Sequence, residues 1–212
     1  MLIASNLSHS FDYPLFDNVS IELNTRKSTA IVGNSGSGKS TILHILSSFL
    51  KPNSGEIIFD NKSLYNLYED ELLKIRRNEF GIIFQSHYLF RGFSGNENIK
   101  VAELLSGGVM ENDIAKRFGI ADILYQQSST LSGGQQQRLS IVRVLSKKPK
   151  IIFADEPTGN LDKTTAGEVM ESIFEYIDRN DASMLCVTHD EDFAYKCDEV
   201  FRLSDGKLVR VK

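Results

Sequence analysis

Cysteine is scarce, with Cys186 and Cys197 the only two in the chain. Thiols so few and so far apart make neither a zinc site nor a disulfide-dense secreted scaffold, and they fit a reduced cytoplasmic chain. With 4 prolines and 15 glycines among 212 residues, collagen-like and low-complexity readings drop out. Charge of one sign is lacking too. Lys and Arg number 24 against 28 Asp and Glu, a net −4, so no strong overall field draws the chain to nucleic acid or an anionic membrane. No nucleic-acid partner is expected. Nowhere do about 18 apolar residues run without interruption, and Met1 to Ser10 lacks both the basic start and the apolar stretch of a signal peptide. The chain is expected neither to cross a membrane nor to be exported, so work at a membrane needs another protein to hold it there.

What is present is an ordinary globular composition, 41% hydrophobic and 25% charged, long enough for one large domain. No repeat and no linker divides it. Short β-like runs recur at Ser28 to Val32, Glu56 to Asp60, Phe80 to Phe84, Ile151 to Ala154 and Met184 to Thr188, several apolar on both faces as buried parallel strands are. Helical spacing at Lys39 to Leu50, Gly133 to Ser146 and Thr165 to Arg179 alternates with them and points to an α/β sheet. From about His87 to Leu131 no strand is legible, which reads as a helical insert. Lys147-Lys148-Pro149-Lys150 reads as a solvated turn.

Gly33-Asn34-Ser35-Gly36-Ser37-Gly38-Lys39-Ser40 matches the G-x-x-x-x-G-K-[ST] phosphate loop, with a strand before it and an apolar helical run after it. Glycines let successive backbone N–H groups face one anion, and the helix opening at Lys39 adds its positive end. Lys39 is placed to reach the β- and γ-phosphates of a nucleotide, Ser40 to ligate Mg²⁺, and Thr41 to stand near the α-phosphate. The loop alone does not separate kinases, GTPases and motor ATPases.

Leu131-Ser132-Gly133-Gly134-Gln135 opens a helix with Leu139, Val142 and Leu145 on one stripe. Ser132 is a good N-cap, and two glycines after it weaken a helix start unless something approaches their bare N–H groups, as a second anion would. Phosphate loop and signature together make the chain similar to the nucleotide-binding subunits of ABC transporters, whose signature reads LSGGQ. The likeness runs from Leu7 to Leu208. It implies an α/β P-loop NTPase core with a mainly parallel sheet, an antiparallel β portion and an inserted α-helical subdomain. The core would span 1–86 and 150–212, and the helical part with the signature about 87–149.

The resemblance also implies roles. Ser132, Gly133, Gly134 and Gln135 would contact the γ-phosphate held by a second copy, so that a head-to-tail pair holds two ATP. Ile151-Ile152-Phe153-Ala154-Asp155-Glu156 ends a buried strand in two acids, where α/β sheets bind ligands. Asp155 would hold Mg²⁺ and Glu156 the attacking water, although two acids after a strand also fit a solvated loop start. His189 matches the histidine that touches the γ-phosphate, and Gln85 the glutamine that serves Mg²⁺ and water at the hinge into the helical insert. Asp162 would reach across the pair or simply cap the next helix. Phe11 falls where an aromatic ring lies under adenine, with Tyr13 and Phe16 close by and core packing as a rival.

Gly81 to Gln85, Asn96-Glu97-Asn98-Ile99 and Pro157 to Asp162 look most like the group serving lipoprotein release, macrolide export and cell division. The implied activity is ATP hydrolysis that couples dimer closure to integral membrane permease subunits, at the cytoplasmic face of the inner membrane. The alternative is a soluble relative acting on nucleic acid or ribosomes, which lacks support from any second cassette or heptad run. Asn34, the turn Asn24-Thr25-Arg26-Lys27 and the short helical insert depart from the family pattern.

Overall fold

A computed structural model describes residues 1–111 and 113–212. In chain order the elements are β1 (Leu2–Ser10), β2 (Pro14–Leu23), β3 (Ser28–Val32), α1 (Lys39–Leu46), β4 (Ser54–Phe59), β5 (Lys62–Ser63), α2 (Glu69–Asn78), β6 (Phe80–Ile83), α3 (Gly95–Ser106), α4 (Ile114–Arg117), α5 (Gly133–Leu145), β7 (Ile151–Asp155), α6 (Lys163–Arg179), β8 (Ser183–Thr188), α7 (Glu191–Ala194), β9 (Glu199–Ser204) and β10 (Lys207–Arg210).

Continuous apolar runs become the centre of a six-stranded sheet ordered β10-β9-β3-β8-β7-β6. Its neighbours from β9 to β6 pair in parallel, and β10 folds back antiparallel on β9. Every residue of β3 and β8 is buried, as strands covered on both faces must be. Alternate side chains feed two cores. Ala30, Val32, Ile152, Ala154, Met184 and Cys186 pack toward α5 and α6, whereas Ile31, Phe153, Leu185 and Val187 pack toward α1 and the other sheet.

That other sheet has four strands ordered β2-β1-β4-β5, and its named pairings are antiparallel. The run at Glu56 to Asp60 is therefore a strand, but it pairs antiparallel with β1 rather than joining the buried parallel set. The helix read from Lys39 to Leu50 stops at Leu46; Ser48 then turns left-handed at φ 63°, where the Arg76 guanidinium donates to its hydroxyl oxygen at 2.9 Å. α2 buries no residue, so apolar periodicity gave no sign of it. Its acids in the first turn and arginines in the last suit the helix dipole instead.

Between Leu89 and Leu131 the chain forms α3, α4 and short turns. α3 starts on a Ser94–Glu97 capping box and ends on Gly107 at φ 73°. Ile99, Ile114, Phe118 and Ile120 join the same apolar cluster as Leu139, Val142 and Leu145 of α5. Each such buried side chain contributes about 1.5–3 kcal/mol, which fixes α5 against the sheet.

Lys147 is not solvated. Its ammonium donates to the carbonyls of Phe80 at 2.7 Å and Arg76 at 3.3 Å, and burial, with Arg143 nearby, pushes its pKa down to about 8. Among the described residues no helix is long and apolar enough to cross a membrane.

Candidate active site

The C-terminal ends of β3, β6, β7 and β8 meet around one cleft of about 590 Å³, lined by Phe11, Tyr13, Ser35, Gly36, Gly38, Lys39, Ser40, Thr41, Gln85, Asp155, Glu156 and His189. This is where parallel α/β sheets open to ligands. Gly38 begins α1 at φ 101°, and a Cβ there would lie 2.8 Å from Leu15 Cγ, so both backbone and packing require glycine. Lys39, the first residue of α1, is 8% exposed. Its ammonium donates to the carbonyls of Gly33 and Asn34, each at 2.8 Å. Burial holds its pKa below the usual lysine value, with Glu156 and Asp155 pulling the other way. Gly33, Asn34 and Ser37 are not among the residues lining the cleft, and the Ser37 hydroxyl is buried without a partner among the described residues.

Asp155 ends β7. Burial, foremost, holds its carboxyl above the usual carboxylate range; a hydrogen bond from Ser40, then His44 and Lys39, oppose that, and Glu156 adds to it. A carboxylate beside a serine hydroxyl is a hard-oxygen pair of the kind Mg²⁺ uses together with substrate phosphates, so these residues fit that ion.

Glu156 adopts φ 47°, an unusual conformation for a non-glycine residue, and its amide donates to Val187 O at 3.0 Å. Its carboxylate is fixed from β8: Thr188 Oγ1 donates to Oε2 at 2.8 Å, the His189 amide to Oε1 at 2.9 Å, and His189 Nδ1 lies 2.6 Å from Oε1. The Glu156 side chain is 14% exposed and that of His189 75%. The arrangement gives an oriented base at the cleft's rim, with an imidazole whose second nitrogen is free to face a substrate.

Ser132, Gly133, Gly134, Gln135 and Asp162 do not line this cleft. Ser132 caps α5, accepting from the Gln135 amide at 3.3 Å while the Gln135 side chain accepts from the Ser132 amide at 2.9 Å. Gln135 thus acts in a capping box. A Cβ on Gly133 would meet nothing within 4 Å, whereas one on Gly134 would meet Leu161 Cδ2 at 3.2 Å. Asp162 caps α6, accepting from the Thr165 amide at 3.1 Å.

Three residues that sequence reading gave no role join these parts. Thr188 holds Glu156. Asn160 Nδ2 reaches Gln85 O at 3.4 Å and lies 3.3 Å from His87 Nε2. Arg143 of α5 donates to His87 O at 3.1 Å and Tyr88 O at 2.7 Å. Asparagine in a loop and arginine on a helix read as solvated in sequence, so only Thr188, beside a candidate histidine, carried a signal.

The sequence pattern of the ABC transporter family matches residues 16–159. The chain belongs to that family. It is 37% identical over 197 residues to the lipoprotein-releasing system ATP-binding protein LolD of Bdellovibrio bacteriovorus, covering 89% of each. It is 39% identical over 186 residues to the macrolide export ATP-binding/permease protein MacB of Wolinella succinogenes, covering 85% of this chain but 29% of that longer protein. Its fold superposes on the dimeric post-hydrolysis structure of the ATP-binding cassette MJ0796 bound to ADP and Pi with a TM-score of 0.89, at 30% identity, covering 98% of this chain and 96% of that one. The chain is the ATP-binding, ATP-hydrolysing subunit of an ABC transporter.

Proposed function

We propose that two copies of this subunit pair head to tail, each nucleotide lying between the phosphate loop of one copy and the Ser132–Gln135 helix start of the other. The supporting observation is the division of the site within one chain. Lys39, Asp155 and Glu156 share a cleft that the signature does not line, and Gly133 opens onto free space at a helix N-terminus, where backbone N–H groups suit an anion. The family relative MJ0796, whose structure is described as dimeric and bound to ADP and Pi, supports the same arrangement.

In this reading the loop from Gly33 to Gly38 and Lys39 hold the phosphates, Thr41 stands by the α-phosphate, and Phe11 stacks on adenine. Ser40, Asp155 and Gln85 serve Mg²⁺, which when bound neutralises phosphate charge. Glu156 orients and deprotonates the attacking water, held by Thr188 and His189, and His189 faces the γ-phosphate. Asp162 meets the second copy. Closure and reopening then move a separate integral membrane permease from the cytoplasmic face of the inner membrane, through differential affinity of the closed pair for ATP. The likeness to LolD and MacB supports lipoprotein release or export as the process served.

The test is capture of tagged Glu156→Gln with ATP from detergent-solubilised membranes, with mass spectrometry of what stays bound. Recovery of a permease is expected, and recovery of soluble proteins alone would overturn the membrane assignment.

A further inference from the structure

His9 is 7% exposed on β1, and among the described residues neither of its ring nitrogens has a hydrogen-bond partner. Buried polar rings are normally satisfied, and an unsatisfied one weakens the fold. Its contacts show what it does there. The ring stands edge-on to Phe11, with centroids 4.8 Å apart and planes at 85°. On its other neighbour, Phe16, it lies tilted at 6.3 Å and 31°. Phe16 is 3% exposed and pairs with His9 across β1 and β2, so the imidazole is anchored in the antiparallel sheet. Phe11, by contrast, is 56% exposed and lines the cleft with Lys39. The turn that carries it is closed by the Phe11 amide donating to Tyr13 O at 3.2 Å.

Phe11 sits on an exposed turn after β1, where an unsupported ring would sample several rotamers. An edge-to-face contact of this distance and angle is favourable beyond area burial and fixes ring orientation. Tyr13 also lines the cleft and is 60% exposed, but of the two it is Phe11 that stands against the imidazole.

We infer that His9 is a positioning residue for nucleotide-base recognition: a buried aromatic brace, joined to Phe16, that holds the Phe11 ring ready to stack on the purine. The inference rests on the reading that Phe11 binds the base. With its nitrogens unpartnered, the imidazole acts here through its ring. The chemistry it serves is that of the base, because the exposed ring it stands against, Phe11, is the one read as stacking there.

The test separates base from phosphate. ATPase kinetics are measured for wild type, His9→Leu, His9→Phe and Phe11→Ala, together with inhibition by inorganic tripolyphosphate, which has no base. His9→Leu is expected to raise KM for ATP about 2- to 10-fold, the range such aromatic pairs are worth, with kcat and the tripolyphosphate inhibition constant unmoved. His9→Phe, which keeps a ring, is expected to restore KM. The chain has no tryptophan, so Phe11→Trp supplies one indole, excited selectively beyond the tyrosine band, whose quenching by ADP reads stacking directly, and His9→Leu in that background should reduce the quenching. An unchanged KM in His9→Leu, or a tripolyphosphate constant that rises in step with KM as general loosening would make it, overturns the inference. Should His9→Leu fail to fold, a His9→Phe protein whose KM rises as far as that of Phe11→Ala overturns it equally. An unchanged KM in Phe11→Ala would instead remove the underlying assignment of Phe11.

Discussion

Replacing Glu156 with glutamine removes a base and leaves the geometry around it nearly intact. The carboxylate is met by Thr188 Oγ1 at 2.8 Å, the His189 amide at 2.9 Å and His189 Nδ1 at 2.6 Å. A glutamine Oε1 can still accept from the His189 amide, and its Nε2 can donate to the Thr188 hydroxyl, so two of the three contacts have neutral replacements. Charged hydrogen bonds are worth about 1.5–3 kcal/mol and neutral ones about 0.5–1.5, so the change in stability should be on the order of 1 kcal/mol. The chemical loss is larger. A positioned general base contributes about 10²- to 10⁴-fold, which is about 3–5 kcal/mol of barrier. Phosphate release at saturating Mg-ATP should therefore fall by about 10²-fold or more, while equilibrium ATP binding and Tm stay close to wild type. Hydrolysis equal to wild type would refute the role of Glu156. Loss of ATP binding in parallel with loss of turnover would refute the claim that its contacts survive the exchange.

Gly133→Ala separates folding from pairing. The added methyl group meets nothing within 4 Å in the single chain, and alanine is favoured over glycine in a helix by up to about 1 kcal/mol, so Tm should hold or rise while ATPase activity falls. Unchanged ATPase activity would contradict contact between this helix start and a second copy. Asp155→Asn should remove Mg²⁺-dependent hydrolysis and raise Tm of the nucleotide-free protein. Burial raises the Asp155 pKa above its ordinary 3.8, so the folded chain binds that proton more tightly than the unfolded chain. The resulting stabilisation is full below 3.8 and is lost as pH rises through the raised folded value, leaving an ionised, half-buried carboxylate at neutral pH. Urea melts at stepped pH should show the asparagine variant gaining on wild type across that window, and a gap independent of pH would contradict it.

The phosphate loop and the paired acids Asp155 and Glu156 were legible because their chemistry leaves few choices of residue. Gly38 needs a left-handed backbone beside Leu15, and Asp155 and Glu156 end an apolar strand that has nowhere to go but the sheet interior. The central strands were legible for the same reason, being apolar on both faces. β1 and β2 were harder, since register shifts interrupt their alternation. α2 was hard to see because none of its residues is fully buried and only Leu72 and Ile75 lean on the core. Lys147, Arg143 and Asn160 carry the signature of solvated residues and yet donate to backbone carbonyls of other elements. Such contacts depend on which distant carbonyls the fold leaves unpaired, and local sequence holds no record of that. The same holds for His9, an unremarkable strand residue until Phe11 and Phe16 close around it.

The central claim, that one complete site takes the phosphate loop from one copy and the signature from another, is tested most directly by mixing two inactive variants. Lys39→Ala disables the loop, and Gly133→Leu blocks the helix start, where the single chain has open space. In a mixed head-to-tail pair, one site combines both defects and the other combines an intact loop with an intact signature. With random pairing of equal amounts, about a quarter of all sites are whole. The account predicts that the mixture recovers ATPase activity toward that fraction although each variant alone is inactive. A mixture no more active than its separate components would contradict it.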